Sequence, residues 1–261
     1  TAERLLLAAN GSADMPKRMQ KKEIEELMMT AQLQSTLIDS MMMGMQTGNA
    51  PPRSRYVPRK LDINEVAREV SRLALPLCKR FRIDGSRIRL GKFPTLIMDS
   101  KAVTQIFLNF MSNAIKYSIP NDPSSFSMKI TAEETLVTEL ETTYCPTDFI
   151  AYMRGIGVRK GYIFSFTDYG IGVSSDFQSR IFTAGARDTK SVAVQSRTGA
   201  GLGLSVIRSV VRDHFGEVWL ESGRDPTIFE VFIPDVVETG EYTKLEAWNR
   251  LDAHKNRRQN S

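Results

Sequence analysis

No helix can run through Gly48-Asn49-Ala50-Pro51-Pro52-Arg53-Ser54-Arg55, and this interruption divides the chain into two parts with different periodicities. Residues 15–46 contain one glycine, Gly44, and no proline after Pro16. Within them Ile24, Ala31, Ile38 and Met45 recur every seven residues. Leu27 and Met41 fall three residues after members of that set, with Gln34 as the polar exception. This is an a/d heptad stripe. One helix cannot bury such a stripe against itself, so it predicts partner helices. Eight of the twelve methionines precede Gly48, and such pliable side chains suit a helix-partner surface. Residues 2–9 with the turn Asn10-Gly11-Ser12 read as the end of a preceding helix, hence a partial helical hairpin. A dimeric four-helix bundle satisfies the stripe.

After the interruption, helical and strand-like patterns interleave. Residues 62–80, 102–117 and 202–214 read as amphipathic helices, the first carrying Val66, Val70, Leu73 and Leu77 on one side. Residues 88–90, 95–98, 126–130, 136–140, 162–167, 217–221 and 228–233 read as strands, the last two joined by a hairpin around 223–226. The order predicts an α/β sandwich with helices on one face of a mixed sheet. The expected domains are 1–48 (partial hairpin), 49–60 (basic, proline-containing linker), 61–236 (sandwich) and 237–261 (polar basic tail).

The net charge is +5, but Arg53, Arg55, Arg59 and Lys60 hold +4 and residues 249–261 hold +3, which leaves −2 elsewhere. The body is therefore not a basic nucleic-acid surface. No apolar run approaches the ~18–20 residues of a membrane helix, so membrane attachment could come only through parts of a longer parent protein. Cys78 and Cys145 have no pairing or metal spacing and read as buried thiols in a reducing compartment, consistent with a cytoplasmic domain. Two histidines, His214 and His254, are too few for a His/Cys metal centre.

Three clusters carry chemistry. In NFMSNAIKY, Asn109, Asn113 and Lys116 stand at i, i+4 and i+7, so two amides and an ammonium share one helical face. Amide oxygens suit Mg²⁺ and the ammonium suits phosphate. In DYGIG, Asp168 ends a strand, and Gly170 and Gly172 permit a sharp turn against which a flat ring can lie. Its carboxylate can accept from an exocyclic amine such as that of adenine. In GAGLGLS, Gly199, Gly201 and Gly203 open a helix whose N–H groups face an anion. Leu204 stands where a dinucleotide fingerprint needs glycine, and no Gly-Lys-Ser/Thr follows, so neither a Rossmann site nor a P-loop is indicated.

The ordered set NFMSNAIKY, DYGIG, FQSRIF and GAGLGLSVIRSVV resembles the ATP-binding domain of sensor histidine kinases, from about Leu61 to Pro234. The resemblance implies an α+β chain, a Bergerat-type α/β sandwich preceded by part of the dimerisation and phosphotransfer hairpin. It implies ATP and Mg²⁺ as ligands, a homodimer through the N-terminal helices, and a response-regulator receiver domain as partner. By the resemblance, Asn113 would coordinate Mg²⁺ on the ATP phosphates, Asn109 would support it and Lys116 would contact phosphate. Tyr117 would flank the adenine, Asp168 would accept from its amine, and Gly170 and Gly172 would shape that pocket. Gly199, Gly201, Leu202, Gly203 and Leu204 would wrap the phosphates. Residues 173–198 would form a lid pinned by Phe177, Ile181 and Phe182, with Arg187 and Lys190 reaching the γ-phosphate.

Three features depart from that pattern. Neither histidine suits the phosphoacceptor role, so the acceptor is expected upstream of Thr1. Gly185 stands where the family has a second aromatic in the lid. Residues 118–161 form a longer connection than the family needs, with room for a hairpin or an inserted loop. The expected activity is transfer of the ATP γ-phosphoryl to a histidine for relay to a regulator aspartate. The alternatives are a dimeric nucleotide-binding scaffold without phosphotransfer and a gyrase-like ATPase. The latter group uses a glutamate where Asn109 stands, and an amide cannot accept a proton from water.

Overall fold

The computed structural model describes residues 57–119, 122–186 and 202–235. The heptad stripe, the partial hairpin and the tail lie outside the described residues, as do Arg187, Lys190, Gly199 and Gly201.

Strand β1 (Arg59–Asp62) runs directly into helix α1 (Ile63–Leu73), whose start is capped by Asp62 accepting from the Asn64 N–H. The expected single helix over 62–80 is two helices. Pro76 lacks an N–H and its ring crowds the preceding turn, so the chain breaks at Ala74 and restarts as α2 (Leu75–Arg80) with proline in its first turn. Val66, Val70, Leu73 and Leu77 are nevertheless all buried. Strand β1 also takes up Arg59 and Lys60, which the sequence reading placed in the linker.

β2 (Ile88–Leu90) and β3 (Thr95–Met98) form where the sequence predicts short strands. β1 pairs antiparallel with β3 as a small separate sheet. Asp99 then caps the long helix α3 (Ser100–Lys116), its carboxylate accepting from the Lys101 and Ala102 N–H groups.

The main sheet has five strands in the order β2-β4-β5-β7-β6. Its members are β4 (Met128–Leu136), β5 (Lys160–Asp168), β6 (Glu217–Gly223) and β7 (Thr227–Pro234) with β2 at one edge. β2 pairs parallel with β4, and all other neighbours are antiparallel. Two expected strands, 126–130 and 136–140, are here one strand and a turn. β4 stays in unbroken register with β5 from Met128↔Asp168 to Leu136↔Lys160, and Leu140 leaves the sheet to be fully buried beneath it.

Helices α1, α3 and a later helix (Gly203–Asp213) cover one sheet face. Ile106, Phe107, Phe110, Phe164, Phe166, Phe229 and Val231 fill the space between. Phe110 stacks on Phe166 at 4.2 Å and Phe107 meets the same ring edge-on at 5.3 Å. Part of the other face carries a second core. There the long connection folds as a 3-10 turn (Glu139–Thr142) and helix α4 (Thr147–Gly155). Val137, Leu140, Cys145, Phe149, Ile150 and Met153 pack on Trp219 and Phe232 from the back of the sheet. Strand alternation makes this possible, since Phe232 points away from its neighbours Val231 and Ile233.

α5 (Ser175–Gln178) follows β5 after the DYGIG turn, and α6 (Gly203–Asp213) ends at His214. Both cysteines are buried, and burial pushes the thiols up to about 11 for Cys78 and about 12 for Cys145.

Candidate functional site

The end of α3, the turn after β5 and the start of α6 meet at one end of the sandwich. α3 supplies Asn109, Asn113 and Lys116 from successive turns. Asn109 is 4% exposed, and its Nδ2 donates to the Gln105 carbonyl at 2.9 Å, which turns Oδ1 the other way. That oxygen faces α6: a methyl group on Gly203 would lie 3.1 Å from it. The Asn113 carboxamide sits beside it, with Nδ2 and Oδ1 at 3.7 and 3.8 Å from the same point. Glycine at 203 therefore brings the N-terminus of α6 against both amides, and Asn113 keeps part of its surface open. Leu202 and Leu204 flank this position and are half-buried.

Lys116 is also half-buried. Burial lowers the pKa of its ammonium, and the nearby Arg80 guanidinium lowers it further. α2 thus adds a second cation beside Lys116. Sequence spacing could not reveal Arg80, because the two residues meet only through tertiary packing.

The DYGIG turn is held from both sides. The Ile171 N–H donates to the Tyr117 carbonyl at 2.9 Å, and the Val173 N–H donates to the Gly223 carbonyl at 2.7 Å. A methyl on Gly170 would fall 2.5 Å from the Tyr117 oxygen, a distance no Cβ tolerates. Gly172 has φ +76°, the left-handed region that favours glycine. Asp168 accepts from the Gly170 N–H at 2.9 Å. Part of the residue reaches the surface, yet its carboxyl is enclosed, and burial pushes it up to about 6 against the lowering effect of that N–H. Tyr117 ends α3 beside this turn, where the sequence reading placed it.

Beyond the turn, Ile181 is buried, and Phe177 and Phe182 pack on the main core. Phe182 meets Phe229 edge-on at 6.2 Å. Arg208 of α6 lies 5.8 Å over the Phe182 ring and pairs with Glu217 at 3.3 Å, a clamp on Phe182 that the motif reading missed. Gly185 has φ +73°, and among the described residues no atom lies within 4 Å of where its Cβ would stand.

His214 is 2% exposed, with Nδ1 on the Val210 carbonyl at 2.8 Å. Its role is packing and hydrogen bonding.

Among the described residues, no group of three or more His, Cys, Asp or Glu side chains could hold a metal by themselves. The donor set does fit a hard cation that arrives with a phosphate chain. Asn113 offers a neutral oxygen, Asn109 backs it, and Lys116 with Arg80 leaves the surroundings positive. No helix among the described residues is long and apolar enough to cross a membrane.

The family of histidine kinase-, DNA gyrase B- and HSP90-like ATPases matches residues 98–237. The adaptive-response sensory kinase SasA of Prochlorococcus marinus (strain AS9601) is 28% identical over 181 residues, 68% of this chain and 40% of that protein. The phytochrome-like protein Cph1 of Synechocystis sp. is 24% identical over 164 residues, 62% of this chain and 18% of that protein. The chain thus spans about two fifths of the length of SasA. Among solved structures, full-length ShkA in complex with AMPPNP superposes with a TM-score of 0.50 at 21% identity, over 91% of this chain and 47% of that one.

Proposed function

Because the chain belongs to the histidine kinase-, DNA gyrase B- and HSP90-like ATPase family, we propose that it is the catalytic core of a sensor kinase that passes the ATP γ-phosphoryl to a histidine. The observation that carries this reading is the convergence of the Asn109 and Asn113 carboxamides on the N-terminus of α6. Amide oxygens, helix N–H groups and an ammonium on one small surface answer the three needs of a triphosphate: a cation ligand, anion donors and a countercharge.

In this reading Asp168 accepts from the adenine amine and Tyr117 flanks the ring. Gly170 and Gly172 keep the turn thin enough for the base to lie against backbone. Asn113 and Asn109 hold the cation's side of the phosphates, and Lys116 neutralises charge. A bound Mg²⁺ would draw electron density from the phosphoryl oxygens. A ring nitrogen of the acceptor then bonds to the γ-phosphorus as the bridging P–O bond breaks, and ADP leaves with the electron pair. The protein contributes positioning and charge. Asn109 has no proton-accepting carboxylate for activating water, which favours transfer over hydrolysis.

His214 is buried and occupied, so the acceptor belongs to another segment, and we place it on the first arm of the N-terminal hairpin. The domain boundaries given above, the dimer through residues 1–48 and a receiver-domain partner for the phosphoryl group belong to the same proposal.

Calorimetric titration of the 261-residue chain with ATP, with and without Mg²⁺, beside Asp168→Asn tests the site. We expect Mg²⁺-strengthened binding that weakens at least about tenfold in the variant, the loss of one charge-assisted hydrogen bond. Equal affinity in Asp168→Asn would remove the adenine assignment. Absence of binding by a folded chain would overturn the nucleotide reading itself.

A further inference from the structure

The place where the chain enters the sandwich is tied to both helices of the proposed site through one residue outside the site, by its carboxylate to α3 and by its main-chain N–H to α6. Asp99 is 8% exposed and uses both carboxylate oxygens. Oδ1 accepts from the Lys101 N–H at 2.7 Å and the Ala102 N–H at 3.4 Å, which caps α3. Oδ2 accepts from the Val57 N–H at 2.8 Å, across 42 residues of sequence. The Asp99 N–H donates to His214 Nε2 at 3.4 Å, just past the end of α6. The Val210 carbonyl on His214 Nδ1 holds the ring proton there, which makes Nε2 the acceptor for the Asp99 N–H.

Val57 itself is 75% exposed, so its side chain contributes little to the attachment. Its N–H is the linkage. Asp99 stands at the opposite end of α3 from Lys116, and His214 at the opposite end of α6 from Gly203. A shift at Val57 therefore has a direct polar route to the far ends of the two helices whose near ends form the site.

We propose that Asp99 is a positioning residue that couples the segment entering at Val57 to the nucleotide site through α3 and α6, with His214 as its link to α6. The proposal rests on the nucleotide reading above. Coupling of this kind is reciprocal: whatever the entering segment does to nucleotide affinity, nucleotide must do to the segment. The β1–β3 ladder is the competing route, since it joins the same segment to Met98 through backbone alone.

Two variants separate the routes. Asp99→Asn keeps an oxygen for the α3 cap but turns an NH₂ donor toward the Val57 N–H. Val57→Pro removes that N–H and leaves Asp99 and its cap intact. Val57 already precedes Pro58, so its backbone is biased toward the extended conformations that proline accepts.

The test is hydrogen exchange of the 59–62 amides in the full chain, with and without Mg²⁺ and a non-hydrolysable ATP analogue. Calorimetric affinity is measured in parallel. In the unaltered chain the analogue should slow exchange of these amides about fivefold, a coupling of ordinary size. In both variants that response should vanish while affinity stays within about threefold, because the site residues are untouched. If the response persists in the variants, the ladder carries it and the proposal is overturned. If nucleotide binds the unaltered chain without slowing exchange, the coupling does not exist. Failure of nucleotide to bind would show in the calorimetry as the loss of the underlying reading, and the proposal would fall with it. Should Asp99→Asn lose its helical signal, Val57→Pro decides alone.

Discussion

Burial raises the Asp168 carboxyl to about 6 from 3.8, and this has opposite consequences for the free and the occupied chain. Between those two pH values the folded chain holds a proton that the unfolded chain has released. Stability from this group therefore falls as pH rises from 3.8 to about 6, and the burial penalty is fully present above that. Asp168→Asn removes the charge and keeps an oxygen for the Gly170 N–H. In urea denaturation at neutral pH the variant should be more stable than the parent by about 1 kcal/mol, reduced from the full shift because part of the residue reaches water. Under the proposed adenine contact, nucleotide should reverse the preference, since an amine donates more strongly to a carboxylate than to a carboxylic acid. Affinity should fall about tenfold as pH drops from about 8 to about 5, and the asparagine variant should show no such fall. A parent whose affinity is flat across that range would mean that Asp168 does not face the base.

At the scale of elements, the two hydrophobic cores are energetically separate because the sheet lies between them. Met153 of α4 is fully buried against the back of the sheet, while Asn113, Asp168 and Gly203 belong to the other side or its edge. Met153→Ala should cost about 2–4 kcal/mol by cavity formation. Thermal unfolding should register that loss, and calorimetry with ATP should give an unchanged affinity. A parallel loss of affinity would show that the inserted connection supports the site. The same contrast explains what the sequence could and could not disclose. Strands β2 and β3 are legible to the residue because each is a short apolar-rich run set off by glycine, proline or aspartate. The helix over 62–80 was misjudged at Pro76, where hydrophobic spacing continues across a backbone break. β4 was read as two strands because Glu133, Glu134 and Thr135 interrupt its apolar alternation, yet their backbones keep pairing with Ile163, Tyr162 and Gly161. Local pattern marks side chains that are buried, and a strand is also held by a neighbour that the sequence does not identify. In the proposed site, spacing alone puts Asn109 and Asn113 on one helical face, and the structure brings Gly203 to them. Arg80 and Arg208, and Asp99 outside the site, could not be read this way, because each gains its partner from a distant part of the chain.

For the whole molecule, the sandwich from β1 to β7 satisfies its own core, so nothing in it demands a second copy. The heptad stripe does. Ile24, Ala31, Ile38 and Met45 lie outside the described residues; as a helical stripe they would present an apolar seam whose exposure to water costs free energy. We therefore expect the full chain to be a dimer assembled through residues 1–48. Ile38 is the member to alter, because it stands inside the stripe and not at its end. Ile38→Asp would place a carboxylate at an a position opposite its own copy, combining desolvation with like-charge repulsion. By sedimentation the parent should run as a dimer and the variant as a monomer. Both should bind ATP with the same intrinsic affinity, since Asn113, Asp168 and Gly203 all lie within residues 57–235. A parent that stays monomeric at high concentration would refute the bundle. A monomeric variant with weakened nucleotide binding would instead show that dimerisation reaches the site, and Asp99 would be the first residue through which to trace it.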